Sequence, residues 1–435
     1  MLAKYKKRRE KITFEALMQI LSTAFTQILD HRRANSSYKL ADLLRSAFAM
    51  FSLKSPSLLC FREQTKVERE NLQAIYHIGD IPGDTQMRAG LDPVDPQPLR
   101  EIFATLFETL SHVGVVKEYQ YWRDHVLVSA DGVSHFSSTK IHCPHCTTRT
   151  LRDGTTSYHH AGLAAVMIHP AHEEVFPLDF EPILNADGSK KNDCERNAAK
   201  RLSAALKDRY PDLPLILVED ALYANAPHIR QITGYGWRFI LNVKPDSHAS
   251  LEKQFAGRRA TGQVKELRQT DPQGLQHYFA WTNDLCLCES APDVRVNYLL
   301  YEQTDKRGQV SRWTWITNLP LNARTVEPVM RGGRGRWKIE NETFNTLKNQ
   351  GYHFEHNYGH GMQNLATILA LLMFLAFTVD QMLQRCWEVF RQVRAGLRTK
   401  AKLWESLRSL FKVQLFRSMT ALYQQMAHLY DIQLQ

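Results

Sequence analysis

Cysteine is scarce. Seven are scattered through 435 residues without framework spacing, which excludes a secreted disulfide scaffold and points to a reducing cytoplasm. No apolar run reaches the roughly 20 residues of a bilayer-spanning helix. The longest, Leu365 to Val379, predicts a buried helix instead, so no membrane partner is expected. The basic N-terminal residues are not followed by a clean apolar segment and a small-residue cleavage site, so no secretory signal is expected. There is no internal repeat and no low-complexity tract. With 43% hydrophobic and 23% charged residues, disorder across the whole chain is excluded.

Basic residues outnumber acidic ones by 55 to 45, giving a net charge of +10. Such an excess favours a polyanionic partner through counterion release. Lys4, Lys6, Lys7, Arg8, Arg9 and Lys11 face one acid, Glu10, at the start. Between Arg385 and Arg417 nine Lys or Arg residues meet only Glu388 and Glu405. Each cluster reads either as a solvated helix face or as a phosphate-contacting surface, the first as a flexible arm entering a DNA groove. Trp404, Phe411 and Phe416, interleaved with the second cluster, read as the core side of an amphipathic helix.

The length predicts more than one domain. Residues 1–120 read as a helical DNA-binding or dimerisation domain, with apolar residues at helical spacing from Lys11 to Asp30 and from Tyr38 to Phe51. A turn at Ile81-Pro82-Gly83-Asp84 precedes a further helix. From Val126 the pattern is mixed α/β: strands at Val126–Asp131, Leu163–His169 and Glu174–Phe180, a helix at Asn192–Leu206, then strands at Leu213–Glu219 and Trp237–Val243. Residues 121–246 are assigned to this part and 247–320 to a β-rich insertion. In the insertion, Val294–Tyr301 and Arg312–Ile316 are strands joined near Lys306-Arg307-Gly308. Helix returns from Arg324 to Asn349, closing the α/β part at 321–352, and 353–435 is a helical C-terminal region.

Asp131 and Asp220 each end an apolar strand, where open α/β sheets place their chemistry. Glu340 sits on a helix whose apolar stripe is Ile339, Thr343, Phe344 and Leu347, with Arg336 one turn earlier on the same face. Each acid alone reads as a turn former, a cap or half of a surface ion pair. Together, three carboxylates suffice to hold two divalent cations, which suits phosphoryl transfer.

The segments Val128-Ser129-Ala130-Asp131-Gly132, Val218-Glu219-Asp220-Ala221-Leu222-Tyr223, Arg336 to Lys348 and Asn357-Tyr358-Gly359-His360-Gly361 carry a resemblance. So do Asp30-His31-Arg32-Arg33 and Ile81 to Arg88. The chain resembles DDE transposases of the bacterial insertion-sequence type, in the branch marked by a Tyr-Arg-Glu-Lys helix signature. Arg336 and Glu340 match that signature. Its Tyr position holds Gly333, its Lys position holds Leu347, and Lys348 lies one residue later. The resemblance implies an α/β, RNase H-like catalytic domain with a β-rich insertion, flanked by helical regions. It implies catalytic and metal-binding roles for Asp131, Asp220 and Glu340, two Mg²⁺ or Mn²⁺ ions, and phosphate contacts by Arg336 and Lys348. It also implies a homodimer on double-stranded DNA that binds the element's terminal inverted repeats and joins them to target DNA by cut-and-paste transposition near the bacterial nucleoid. A catalytically silent DNA-binding repressor and a structure-specific nuclease are the alternatives. Glu342 is the weaker rival for the third acid, pointing away from the Arg336 face.

His142-Cys143-Pro144-His145-Cys146 contains a C-x-x-C, and His159, His160 and Cys194 follow. Cys143 and Cys146 with two of the others, His159 and Cys194 being the expected pair, form a candidate structural Zn²⁺ site. A β-turn with reduced thiols explains the same residues. Trp337, beside Arg336, reads as a packed core residue, with stacking on an unpaired base as the alternative.

Overall fold

A computed structural model describes residues 2–33, 35–185 and 194–434, with no side-chain description for residues 2–4. The expected start of one helix at Asn192 and the Lys4 side chain lie outside the described residues.

The N-terminal helices form where apolar spacing and caps coincide. Thr13 accepts a hydrogen bond from the Ala16 amide ahead of helix Phe14–Gln27, and Ser57 does the same from Cys60 ahead of helix Leu58–Tyr76. Helices Leu40–Ser52, Asp84–Leu91 and Gln97–His112 complete the layer.

Among the described residues, eleven strands form one sheet. They are β1 (Gln120–Trp122), β2 (His125–Ser138), β3 (Thr147–Thr150), β4 (Thr156–Ile168), β5 (Phe176–Ile183), β6 (Leu215–Glu219), β7 (Arg238–Asn242), β8 (Lys265–Thr270), β9 (Gln276–Cys288), β10 (Ala291–Thr304) and β11 (Val310–Thr317). The first half runs β5-β4-β2-β6-β7. β4 is antiparallel to both its neighbours there, while β6 is parallel to β2 and to β7. Helices Glu195–Arg209 and Ala226–Gly234 connect the parallel strands.

β8 to β11 form an antiparallel meander, and the turn between β10 and β11 is closed by Asp305, which accepts from the Arg307 and Gln309 amides. This expected insertion is not a detached module. β11 pairs with β7, so the meander extends the same sheet.

Helix Leu365–Cys386 is long and apolar enough to cross a membrane by length and composition, yet it is buried along its whole apolar window. It packs on helix Leu40–Ser52, helix Gln97–His112 and β5. Phe374 meets Phe180 of β5 at 4.9 Å between ring centroids. One continuous hydrophobic core therefore joins the N-terminal helices, the sheet and the C-terminal helices. Trp404 and Phe411 lie in it on helix Lys400–Val413, as the amphipathic reading expects; Phe416 lies in it too, but beyond the end of that helix.

Candidate active site

β2 and β6 run parallel, and their last paired residues are Ser129 and Val218. Asp131 and Asp220 each come two residues later, so the register sets them level at the carboxyl edge of β6. Asp220 follows β6 directly and accepts the Leu222 amide at 2.8 Å, which turns the chain. Asp131 does not end its strand. β2 continues to Ser138, because antiparallel pairing with β4 persists after β6 has stopped.

Glu340 arrives from the opposite direction in sequence. The expected single helix from Arg324 to Asn349 is broken: helix Val326–Arg334 ends at Gly335, and Ile339–Asn345 form a π-helical turn. Such widened turns recur at functional sites, since they re-aim a side chain without ending the helix. The apolar stripe is buried as expected. Arg336 Nη1 donates to Asp131 Oδ2 at 3.1 Å, and Arg336 Nη2 reaches Glu340 Oε1 at 2.6 Å. At the signature's Tyr position, Gly333 packs against Trp315. A Cβ there would lie 2.5 Å from the indole nitrogen, so this chain has no room for a side chain.

Burial pushes the Asp131 carboxyl up to about 6. Arg336 and the Gly132 amide oppose that, while Glu340 and Asp220 reinforce it. The three expected acids thus share one electrostatic field. A fourth, Glu195, was missed by sequence reasoning. It lies so close to Gly132 that a Cβ there would meet its carboxylate at 2.5 Å. Burial and Asp220 raise its pKa, and Tyr223 donates a hydrogen bond to it at 3.4 Å. In sequence Glu195 looks only like a favourable acid in a helix's first turn.

A family model described as the transposase DDE domain matches residues 152–378. The chain belongs to the transposase DDE domain family. The matched span contains Asp220 and Glu340 and begins after Asp131. Members are DNA-cleaving transposases that generally use divalent metal ions. No curated protein matches the chain in sequence. Among solved structures, the chain is similar to a piggyBac transposase synaptic complex with hairpin DNA. The identity is 10% and the TM-score 0.45, with 97% of this chain and 83% of that one covered.

For a DDE-domain transposase, the donor set fits hard divalent cations: every candidate ligand atom is a carboxylate oxygen. The Glu340 side chain is 49% exposed, which leaves it accessible from solvent. Arg336, expected at phosphate, pairs with the Asp131 and Glu340 carboxylates. Lys348 pairs with Glu355 at 2.7 Å. Glu342 faces away, lining a cavity with Glu173 and Lys400. Trp337 is not a core residue; it is 44% exposed and lines a cleft of about 530 Å³ with Arg331, Arg334 and Tyr301.

The basic clusters are partly engaged within the protein. Residues Leu2–Arg9 form a helix rather than an extended arm, with Arg8 donating to the His112 carbonyl and Arg9 pairing with Glu118. Arg385 pairs with Glu118 and Glu174, and Arg408 donates to the Lys54 carbonyl. In the Cys/His cluster, Cys143 and Cys146 meet His160 and His360, whereas His159 and Cys194 lie outside it. Successive residues of a strand face opposite sides, so β4 can turn only one of His159 and His160 inward.

Proposed function

We propose that the chain is the transposase of a bacterial insertion sequence, of the branch with the Tyr-Arg-Glu-Lys signature. It acts in the cytoplasm as a homodimer that binds the terminal inverted repeats of its element. It cleaves the DNA there and joins the freed 3′ ends to a target. The strand order β5-β4-β2-β6-β7, with its antiparallel and parallel halves, supports an RNase H-like catalytic core.

The observation that carries the reading is the convergence of Asp131, Asp220 and Glu340 from three separate segments, with Arg336 tying Asp131 to Glu340. These carboxylates would hold a pair of Mg²⁺ or Mn²⁺ ions, whose chemistry is to stabilise charge on the attacking and leaving oxygens of an in-line displacement. The protein contributes rigidity. Pairing with β4 fixes Asp131, the turn that follows β6 fixes Asp220, and Arg336 orients Asp131 and Glu340. The Lys348–Glu355 pair, half open to solvent, is where an incoming phosphate can take over the lysine.

Strand transfer separates this reading from a simple nuclease. A labelled duplex carrying the element's own end should be nicked and then joined to a second DNA in Mn²⁺. Cleavage without joined product would favour the nuclease, and end binding without cleavage would favour the repressor.

A further inference from the structure

We infer that Cys143, Cys146, His160 and His360 bind one structural Zn²⁺ ion, which staples the excursion between β2 and β4 to the segment ahead of helix Leu365–Cys386. This site is separate from the carboxylates and does not depend on the functional reading above.

The four ligand atoms all lie within 4.8 Å of one another, and the four residues are buried. Five of the six distances between these atoms are those of a tetrahedron around a metal. Zn–S bonds of about 2.3 Å and Zn–N bonds of about 2.0–2.1 Å place two sulfurs about 3.8 Å apart, two nitrogens about 3.3 Å apart, and sulfur and nitrogen about 3.5 Å apart. Here the two Sγ atoms are 3.8 Å apart and the two Nε2 atoms 3.2 Å. His160 Nε2 is 3.4 Å from each sulfur, and His360 Nε2 is 3.2 Å from Cys146 Sγ. A disulfide needs sulfurs about 2.05 Å apart, so the cysteines are not bonded to each other.

The surroundings prepare the ligands. His360 Nδ1 is 2.8 Å from the Gly361 carbonyl; as a donor to it, the ring leaves Nε2 with its lone pair facing the cluster. The Cys143 amide points at Cys146 Sγ at 3.5 Å, closing the Cys-x-x-Cys turn around the cluster. Phe136 packs on both rings, 4.5 Å from His360 and 5.8 Å from His160 between centroids. Four protein ligands complete the coordination, so the site has no open position for catalysis. His160 and His360 are 200 residues apart in sequence, which makes the ion a long-range tie within the fold.

Metal analysis of the purified full-length protein tests this. One zinc per chain is expected after dialysis, retained in His159→Ala, in Cys194→Ser and in a variant lacking all three active-site acids. It should be lost in Cys146→Ser and in His360→Ala. Co²⁺ in place of zinc should give thiolate charge-transfer and intense tetrahedral visible bands in the wild type. Should the cluster variants fail to fold, stripping the wild type with a zinc chelator must lower its thermal midpoint, with Zn²⁺ but not Mg²⁺ restoring it. Wild type that holds no zinc and takes up no Co²⁺ would overturn the proposal, as would zinc retained after both Cys146→Ser and His360→Ala.

Discussion

Arg336 donates to Asp131 at 3.1 Å and pairs with Glu340 at 2.6 Å, so one guanidinium orients carboxylates that lie more than two hundred residues apart in the chain. A planar fork can hold two partners at once, and an ammonium cannot reproduce that geometry. Arg336→Lys and Arg336→Ala should both cut DNA cleavage, the alanine by roughly 10–100-fold, the range for residues that orient metal ligands. Because Arg336 holds the Asp131 pKa down, its loss should also move the pH profile of Mn²⁺ binding to higher pH. A fall in rate with an unmoved profile would mean that Arg336 acts elsewhere.

Asp131 itself sets a pH dependence. Its carboxyl is pushed up to about 6, mainly by burial. As a proposed cation ligand it would be contested by a proton, so Mn²⁺ affinity should be full above that value and weaken as pH falls through it. Calorimetric titration of Mn²⁺ across this range checks the expectation. Affinity that falls only near the ordinary carboxylate value would contradict it.

Lys54 is fully buried and pairs with Asp380 at 2.6 Å, linking the N-terminal helices to the central C-terminal helix. Tyr352 also donates to Asp380, and its ring lies under the lysine ammonium. Asp380→Ala strands the cation and should cost about 3–5 kcal/mol in denaturant unfolding. Replacing both members with apolar residues, as in Lys54→Met with Asp380→Leu, should cost less than Asp380→Ala alone.

Glu68 is buried, and burial raises its carboxyl from 4.5 to about 7. Between those values the folded chain holds a proton that the unfolded chain has released. Stability from this group is therefore full below 4.5 and declines as pH rises through 7. Glu68→Gln should flatten that decline, gaining on the wild type above pH 7 relative to below 4.5, as read from unfolding midpoints across pH.

Much of this fold is legible in the sequence because its signals are local. The strands at Leu213–Glu219 and Trp237–Val243 appear within two residues of their observed ends, since apolar runs bounded by turns leave little choice. Asp131 and Asp220 stand out for the same reason. What sequence could not show depends on pairing across the chain. β2 outlasts its apolar run because β4 continues beside it. The meander joins the main sheet because β11 finds β7. His360 enters the cysteine cluster from a distant segment, and Glu195 reaches the acids only through helix placement. Trp337 looks like core by residue type, yet it lies exposed just past the helix end at Gly335.

The most direct measurement compares Asp131→Ala, Asp220→Ala and Glu340→Ala with the wild type on DNA carrying the element's terminal repeats. Cleavage is assayed in Mg²⁺ or Mn²⁺ and DNA binding is assayed alongside. Loss of cleavage in all three, with binding retained, is the expected result. Cleavage that survives removal of any one of these acids would contradict the assignment of the trio as the cation-holding centre.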